Sequence, residues 1–268
     1  MAQNLIQHAD FNVKPSDYKH LKEDQLLITS IFYTIQGEGP FGGYPATFLR
    51  TAGCNLGAKN SAGSHGGAGC EFCDTFFKFA DGKVMSYDSI LQEIIAKTQG
   101  RTKLVVITGG EPMVQKNVVG MVEVLNKAGF NTQFETNSLL YREIPKEAHG
   151  CTNHIICSPK MGAAQKYPAL RPDVFGRVDC LKFVVEKTGQ FTMLPDYAFD
   201  FIKTGRPVYV SPINVYKREV ARGEIPCMFT EGLYDLEACR ENYKFAAELC
   251  LEYGLTLSMQ KHLFLGLE

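Results

Sequence analysis

Three cysteines, Cys54, Cys70 and Cys73, stand in the spacing C-x15-C-x2-C. A structural zinc takes four protein ligands. An electron-transfer iron–sulfur cluster likewise takes four thiolates, so a trio is incomplete for both. Three thiolates are the right number where one iron of a cluster must stay open to a small molecule. His65, in the loop between Cys54 and Cys70, offers a different completion, a Cys3His zinc site.

Further chemistry-bearing residues follow and precede this group. Thr108-Gly109-Gly110-Glu111-Pro112 has two glycines where a ligand amino group could meet backbone carbonyls, with Glu111 beside them to accept a charged hydrogen bond. Gln36-Gly37-Glu38-Gly39 sets an acid between two glycines, which permits close approach of a ligand to the chain. Arg50 presents a planar fork suited to a carboxylate. An open iron could chelate the amino and carboxylate groups of S-adenosylmethionine, and an electron passed through it could break the sulfonium bond. The structural alternatives are a tight turn at each glycine motif, a core role for Phe72, a helix cap at Asp74-Thr75 and a solvated strand end at Glu135.

These residues need elements to carry them. Strands are expected over 26–34 and 46–49, the second leading into Cys54. The loop 56–69, dense in Gly, Ala and Ser, cannot form a core of its own. Ser86 is placed to cap a helix over 87–98, with Ile90, Leu91, Ile94 and Ile95 on one face. The run 103–108 is nearly all apolar, as parallel strands buried on both faces are. A helix over 114–128 closing at Gly129 and a strand over 131–135 complete a βα repeat. Strands at 154–157, 180–185, 207–210 and 255–259 and a helix at 236–253 continue it. Polar signatures recur at the C-terminal ends of these strands, where barrels of parallel strands place their chemistry.

Composition narrows the function classes. The chain has 268 residues, 45% hydrophobic and 21% charged, with a net charge of −1. That is ordinary globular usage, and it provides no basic excess for direct nucleic-acid binding. No apolar run approaches the roughly 20 residues needed to cross a bilayer, and the N-terminus lacks a secretion-signal pattern, so a cytoplasmic location is expected. Nine cysteines, an odd number, argue for reduced thiols and a metal rather than a disulfide framework. Six of them, Cys151, Cys157, Cys180, Cys227, Cys239 and Cys250, are expected as small buried side chains.

The cysteine triplet, Phe72 before its last member and the T-G-G-E-P run together resemble the radical S-adenosylmethionine enzymes. With Gln36–Gly39, Arg50 and Cys73-Asp74-Thr75, the chain resembles the 7-carboxy-7-deazaguanine synthase family, over most of 33–268 and more thinly after 160. The superfamily's usual triplet is C-x3-C-x2-C, and this family is known to stretch the first interval. The resemblance implies an α/β fold, a partial (β/α)6-type barrel formed by a single domain over 26–268. It would have a Gly-rich insertion in the cluster loop 51–75 and an N-terminal arm or dimer contact over 1–25.

The resemblance also implies roles. One [4Fe-4S] cluster would rest on Cys54, Cys70 and Cys73, and Thr75 would contact Mg2+. S-adenosylmethionine would meet Gly109, Gly110 and Glu111 at its amine and Phe72, with its neighbours Glu71 and Asp74, at its adenine. Glu135 would take the ribose. Ser158, Pro159 and Lys160 form a further cofactor segment, and Ser211, Pro212, Ile213 and Asn214 one near the adenine. Ile35, Gln36, Gly37, Glu38, Arg50, Thr108, His262 and Glu268 would bind 6-carboxy-5,6,7,8-tetrahydropterin, although other members often end in proline where this chain has Glu268. A 5′-deoxyadenosyl radical would take hydrogen from C6 of that substrate. Ring contraction and loss of ammonia would then give 7-carboxy-7-deazaguanine, a precursor of 7-deazapurines such as queuosine, in a carbon–nitrogen lyase reaction. A flavodoxin-like electron donor and a homodimer are implied as partners, with no direct nucleic acid and no membrane.

Two alternatives stand beside this one. A radical activase of a glycyl-radical partner would share the cluster, though such enzymes usually need extra cluster cysteines or a protein-docking surface, and the scattered cysteines show no second ferredoxin-like spacing. A Cys3His knuckle for RNA or protein leaves the glycine motifs and Ser158-Pro159-Lys160 unexplained.

Overall fold

The computed structural model describes residues 20–56, 82–161, 166–218, 220 and 224–268. They group into two compact units, one drawn from 20–34 and Pro45–Ile156, the other from Ile35–Tyr44 and Cys157–Glu268.

The first unit holds β1 (Gln25–Ile35), β2 (Pro45–Thr51), β3 (Lys83–Ser86), α1 (Tyr87–Thr98), β4 (Leu104–Gly109), a 3-10 turn at Pro112–Val114, α2 (Val118–Lys127), β5 (Asn131–Thr136), β6 (Glu147–Ala148) and β7 (Cys151–Cys157). Its strands lie in the order β3-β1-β2-β4-β5-β7, with β6 beside β7. β2, β4 and β5 run parallel, pairing Arg50 with Thr108 and Ile107 with Phe134. Their C-terminal ends therefore finish at one edge. Leu104 to Ile107 are all buried, as a strand covered on both faces requires.

Local chemistry explains most boundaries. Ser86 accepts from the Ser89 amide and caps α1, whose buried stripe is Ile90, Ile94 and Thr98. Ile95 is exposed, so the apolar face is narrower than the sequence pattern suggests. α2 begins at Val118 rather than 114. Glu111 caps the 3-10 turn by accepting from Met113 N, and Gln115 is then held in an extended conformation. Its buried side chain accepts from Leu27 N at 2.7 Å and donates to Leu27 O at 2.8 Å and Ala52 O at 3.1 Å, so the chain cannot coil until it has passed this anchor. β3 escaped the sequence pattern because it is short and lies against β1 with little burial.

The second unit holds a 3-10 turn at Gly39–Phe41, α3 (Pro172–Arg177), β8 (Cys180–Val185), α4 (Asp196–Lys203), β9 (Val208–Pro212), α5 (Leu236–Tyr253), β10 (Thr256–Leu257) and α6 (Lys261–Leu265). β8, β9 and β10 are parallel neighbours. Val185 and Val210 pack with Ala246 and Cys250 of α5. Asp235 caps α5 at its start, and Gly254 ends it in the left-handed conformation. α3, α4 and α6 are short helices without a long apolar period, which is why periodicity missed them. Of the six scattered cysteines, five are buried and Cys227 is partly exposed.

Candidate active site

In the first unit, Cys54 follows the exit of β2. The segment Thr51–Cys54 nests against Gly109–Glu111 at the end of β4: Gly110 N donates to Thr51 O at 3.4 Å and Glu111 N to Gly53 O at 2.9 Å. The fit depends on glycine. A Cβ at Gly110 would lie 2.1 Å from Gly53 O and 2.9 Å from Cys54 Cβ, and Gly109 has a φ of +145°, a conformation that L side chains rarely adopt.

Glu111, expected at the cofactor amine, is 1% exposed. One carboxylate oxygen accepts from Thr136 Oγ1 at 2.7 Å and Met113 N at 3.0 Å, and the other from Asn137 N at 2.6 Å. It thus ties the ends of β4 and β5 together. Asn137 also donates to Asn55 Oδ1 at 2.8 Å, linking the cysteine turn to the same brace. Thr108 and Glu135 come together directly, Thr108 Oγ1 donating at 3.2 Å. Gln133 donates to the other Glu135 oxygen at 3.0 Å. Arg50 is buried, with its guanidinium 5.2 Å from the Phe32 ring centroid, a cation–π contact.

In the second unit, Gln36–Gly39 forms a loop with many restraints. Gln36 N donates to Tyr44 O and Gly43 N to Gln36 O, while Gln36 Oε1 accepts from Glu38 N at 3.1 Å. Gly39 N donates to Ser258 Oγ at 3.1 Å. Gly37 lies so close to His262 that a Cβ would meet its ring at 2.1 Å. Lys182 Nζ donates to one Glu38 oxygen at 2.6 Å and Ser211 Oγ to the other at 3.3 Å. Ile35, at the end of β1, leads into this loop.

Ser158 and Pro159 are buried, and Lys160 Nζ donates to Ser158 Oγ at 2.7 Å. Pro212 ends β9, and Ile213 N continues to Val185 O at 2.8 Å. Asn214 donates to Gln260 and accepts from Tyr243 OH. Burial raises the Tyr243 hydroxyl's pKa, so it remains a donor at neutral pH. Glu268 is exposed. Burial also raises the Cys239 thiol and pushes Cys250 up to about 11, which keeps both protonated and unreactive.

Cys70, Glu71, Phe72, Cys73, Asp74, Thr75 and His65 lie outside the described residues, as does 1–19 of the proposed arm. Sequence reasoning did not find Gln115, Gln133, Asn137 or Lys182. For Lys182 a signal existed: it is the one charge in the otherwise apolar strand Cys180–Val185.

The cysteine-bearing turn and the Gly-Gly-Glu strand end on which it nests both fall within residues 50–173, which match the radical SAM superfamily. The crystal structure of QueE from Escherichia coli is 23% identical with a TM-score of 0.57, covering 92% of this chain and 98% of that one. That likeness gives the fold: α/β, of the partial (β/α)6 radical SAM type. A 7-carboxy-7-deazaguanine synthase from Rickettsia prowazekii is 36% identical over 91% of this chain and 89% of its own length. Another from Hyperthermus butylicus is 28% identical over 90% and 93%. The chain belongs to the 7-carboxy-7-deazaguanine synthase family, and so is a radical SAM enzyme of deazapurine biosynthesis whose class implies a [4Fe-4S] cluster and S-adenosylmethionine. Membership favours the synthase reading over the zinc-knuckle and activase alternatives. Among the described residues, no helix is long and apolar enough to cross a membrane.

Proposed function

We propose that this protein converts 6-carboxy-5,6,7,8-tetrahydropterin to 7-carboxy-7-deazaguanine with loss of ammonia. The nesting of Thr51–Cys54 on Gly109–Glu111, in a chain of this family, carries the reading.

The described residues fit the cofactor. The glycine strand end exposes backbone without side-chain bulk, and Gln133 keeps a buried Oε1 without a hydrogen-bond donor beside Glu135, which suits a hydroxyl-bearing ligand such as a ribose. Cys54, with Cys70 and Cys73, would hold the cluster. Gly109 and Gly110 would take the methionyl amine and Glu135 the ribose, with Glu111 holding the segment in place. Ser158–Lys160, Ser211–Asn214 and Glu71, Phe72 and Asp74 would complete the cofactor's contacts. When bound, the cluster and S-adenosylmethionine supply hydrogen-atom abstraction at a C–H bond.

The chain's own work is to hold that bond in register and exclude water. Arg50 would clamp the substrate carboxylate, its stacking on Phe32 limiting how the fork can turn. Thr108, fixed by Glu135, would face the substrate. Glu38 would take the N–H donors of the pyrimidine edge, with Ile35, Gln36, Gly37 and His262 around it and Glu268 at the chain end. Thr75 would offer its hydroxyl to Mg2+, an ion that keeps several waters and prefers oxygen ligands. A flavodoxin-like donor, a homodimer, a cytoplasmic location and an N-terminal arm over 1–25 ahead of one core domain belong to the same reading.

Anaerobic reconstitution with iron, sulfide, reductant, S-adenosylmethionine and substrate tests it. The expected products are 7-carboxy-7-deazaguanine and ammonia, which together account for every atom of the substrate. Zinc without sulfide in the purified protein, or no 7-carboxy-7-deazaguanine after reconstitution, overturns it.

A further inference from the structure

We propose that Lys182 is a positioning residue for substrate recognition: it fixes the Glu38 carboxylate so that Glu38 reads the 2-amino group of a 2-amino-4-oxopyrimidine ring. This rests on the reading of Glu38 as a substrate ligand.

Lys182 lies in the middle of β8 between Leu181 and Phe183, both fully buried. Phe183 packs edge-on against Tyr167, with ring centroids 5.3 Å apart, and beside Tyr197 of α4. Because side chains alternate along a strand, Lys182 is directed to the opposite face. Val184 pairs with Ser211 and Lys182 with Tyr209, which puts Lys182 and Ser211 on that face together. Glu38 meets both, Lys182 at 2.6 Å on one oxygen and Ser211 at 3.3 Å on the other. The Lys182 and Glu38 side chains are 11% and 13% exposed.

A buried ion pair contributes little net stability over an apolar pair of similar volume. Stability alone therefore gives weak reason to place a lysine in this apolar strand. Specificity gives a stronger one. A carboxylate has about four lone-pair sites. Lys182 and Ser211 engage one on each oxygen, so a second remains on each. The loop backbone is restrained as well, by Gly39 N on Ser258 Oγ, Glu38 N on Gln36 Oε1 and the close approach of Gly37 to His262. Two acceptors fixed side by side match two donors fixed side by side. The ring N–H and the exocyclic 2-amino N–H of a 2-amino-4-oxopyrimidine are such a pair, and both substrate and product carry that edge. Without Lys182 the carboxylate can rotate away, and the match is lost before any contact with the ring is altered.

The test is equilibrium binding to the reconstituted holoenzyme of two probes, 7-carboxy-7-deazaguanine and its analogue lacking the 2-amino group. Wild type is expected to favour the amino compound by roughly tenfold or more, the worth of one hydrogen bond to a charged group. Lys182→Met is expected to bring that ratio close to one, and Lys182→Arg to restore most of it. Selective loss of the ratio distinguishes positioning from a general structural defect, which weakens both ligands alike. If Lys182→Met does not retain its iron, Lys182→Gln, which keeps a donor without the charge, decides: a reduced ratio supports the proposal and an undiminished ratio overturns it. Equal binding of both probes by wild type, or an undiminished ratio in Lys182→Met, also overturns it. Failure of wild type to bind either probe overturns the proposed function, and this inference with it.

Discussion

The strand ends of the two units are held by different means. In the first, the contacts are mostly to backbone: Gly110 and Glu111 nest on the Thr51–Gly53 carbonyls, Gln115 grips the backbone of Leu27 and Ala52, and Glu111 takes two amides and a hydroxyl. In the second, side chains hold side chains, as in Glu38 with Lys182 and Ser211 and Asn214 with Gln260 and Tyr243. A backbone nest permits almost no change of residue, because any added atom meets a neighbouring chain. A side-chain pair can be retuned by substitution. The first arrangement suits a cofactor that must always be held the same way, and the second suits discrimination between substrates.

The largest effect expected from that contrast is at Gly110. Gly110→Ala pushes a methyl into Gly53 O and Cys54, and displacement of a reacting group by about 1 Å can cost around 100-fold in rate. Formation of 7-carboxy-7-deazaguanine by the reconstituted variant should fall by at least about that factor. A rate near wild type would show that the two loops can part without harm. Next is Glu111→Ala, which strands buried donors of Met113, Thr136 and Asn137. A loss of about 2 kcal/mol in denaturant-derived stability is expected, from the cost of unsatisfied buried groups. If activity fell with stability unchanged, Glu111 would instead be acting on the cofactor.

Asn214→Ala sharpens the other side of the comparison. It removes two side-chain hydrogen bonds, and a loss of about 1 kcal/mol is expected, smaller than at Glu111 because Tyr243 and Gln260 can turn to new partners. Chemical denaturation of the two variants side by side measures the difference. The smallest effect belongs to Glu241 on the exposed face of α5. Lys187 and Lys244 hold its carboxyl down to about 2. A lowered folded-state pKa adds stability above the ordinary carboxylate range, lost as the pH falls toward about 2. Both partners are exposed and solvent-screened, so Glu241→Gln should only slightly flatten the acid limb of thermal stability against pH. A large change would mean that side-chain pairs stabilise the second unit more than their exposure suggests.

Legibility followed the same division. The glycine motifs, Cys54, the cap at Ser86 and the buried strands were readable, because each is a local demand of backbone conformation, hydrogen bonding or apolar period. α1 and α5 have the bounds expected of them, 87–98 and 236–253. The late start of α2 was not readable, since the anchor that delays it is Gln115 meeting Leu27, far away in the chain.

By itself, the order of residues determined the βα alternation and carried the resemblance to the family, because cysteine spacing, glycine position and hydrophobic period are properties of near neighbours. Only the tertiary structure decided that Glu111 braces two strand ends, that Glu135 restrains Thr108, and that Lys182 stands on Glu38. Each of those is an electrostatic contact between residues brought together by strand register, and register is a property of the folded sheet.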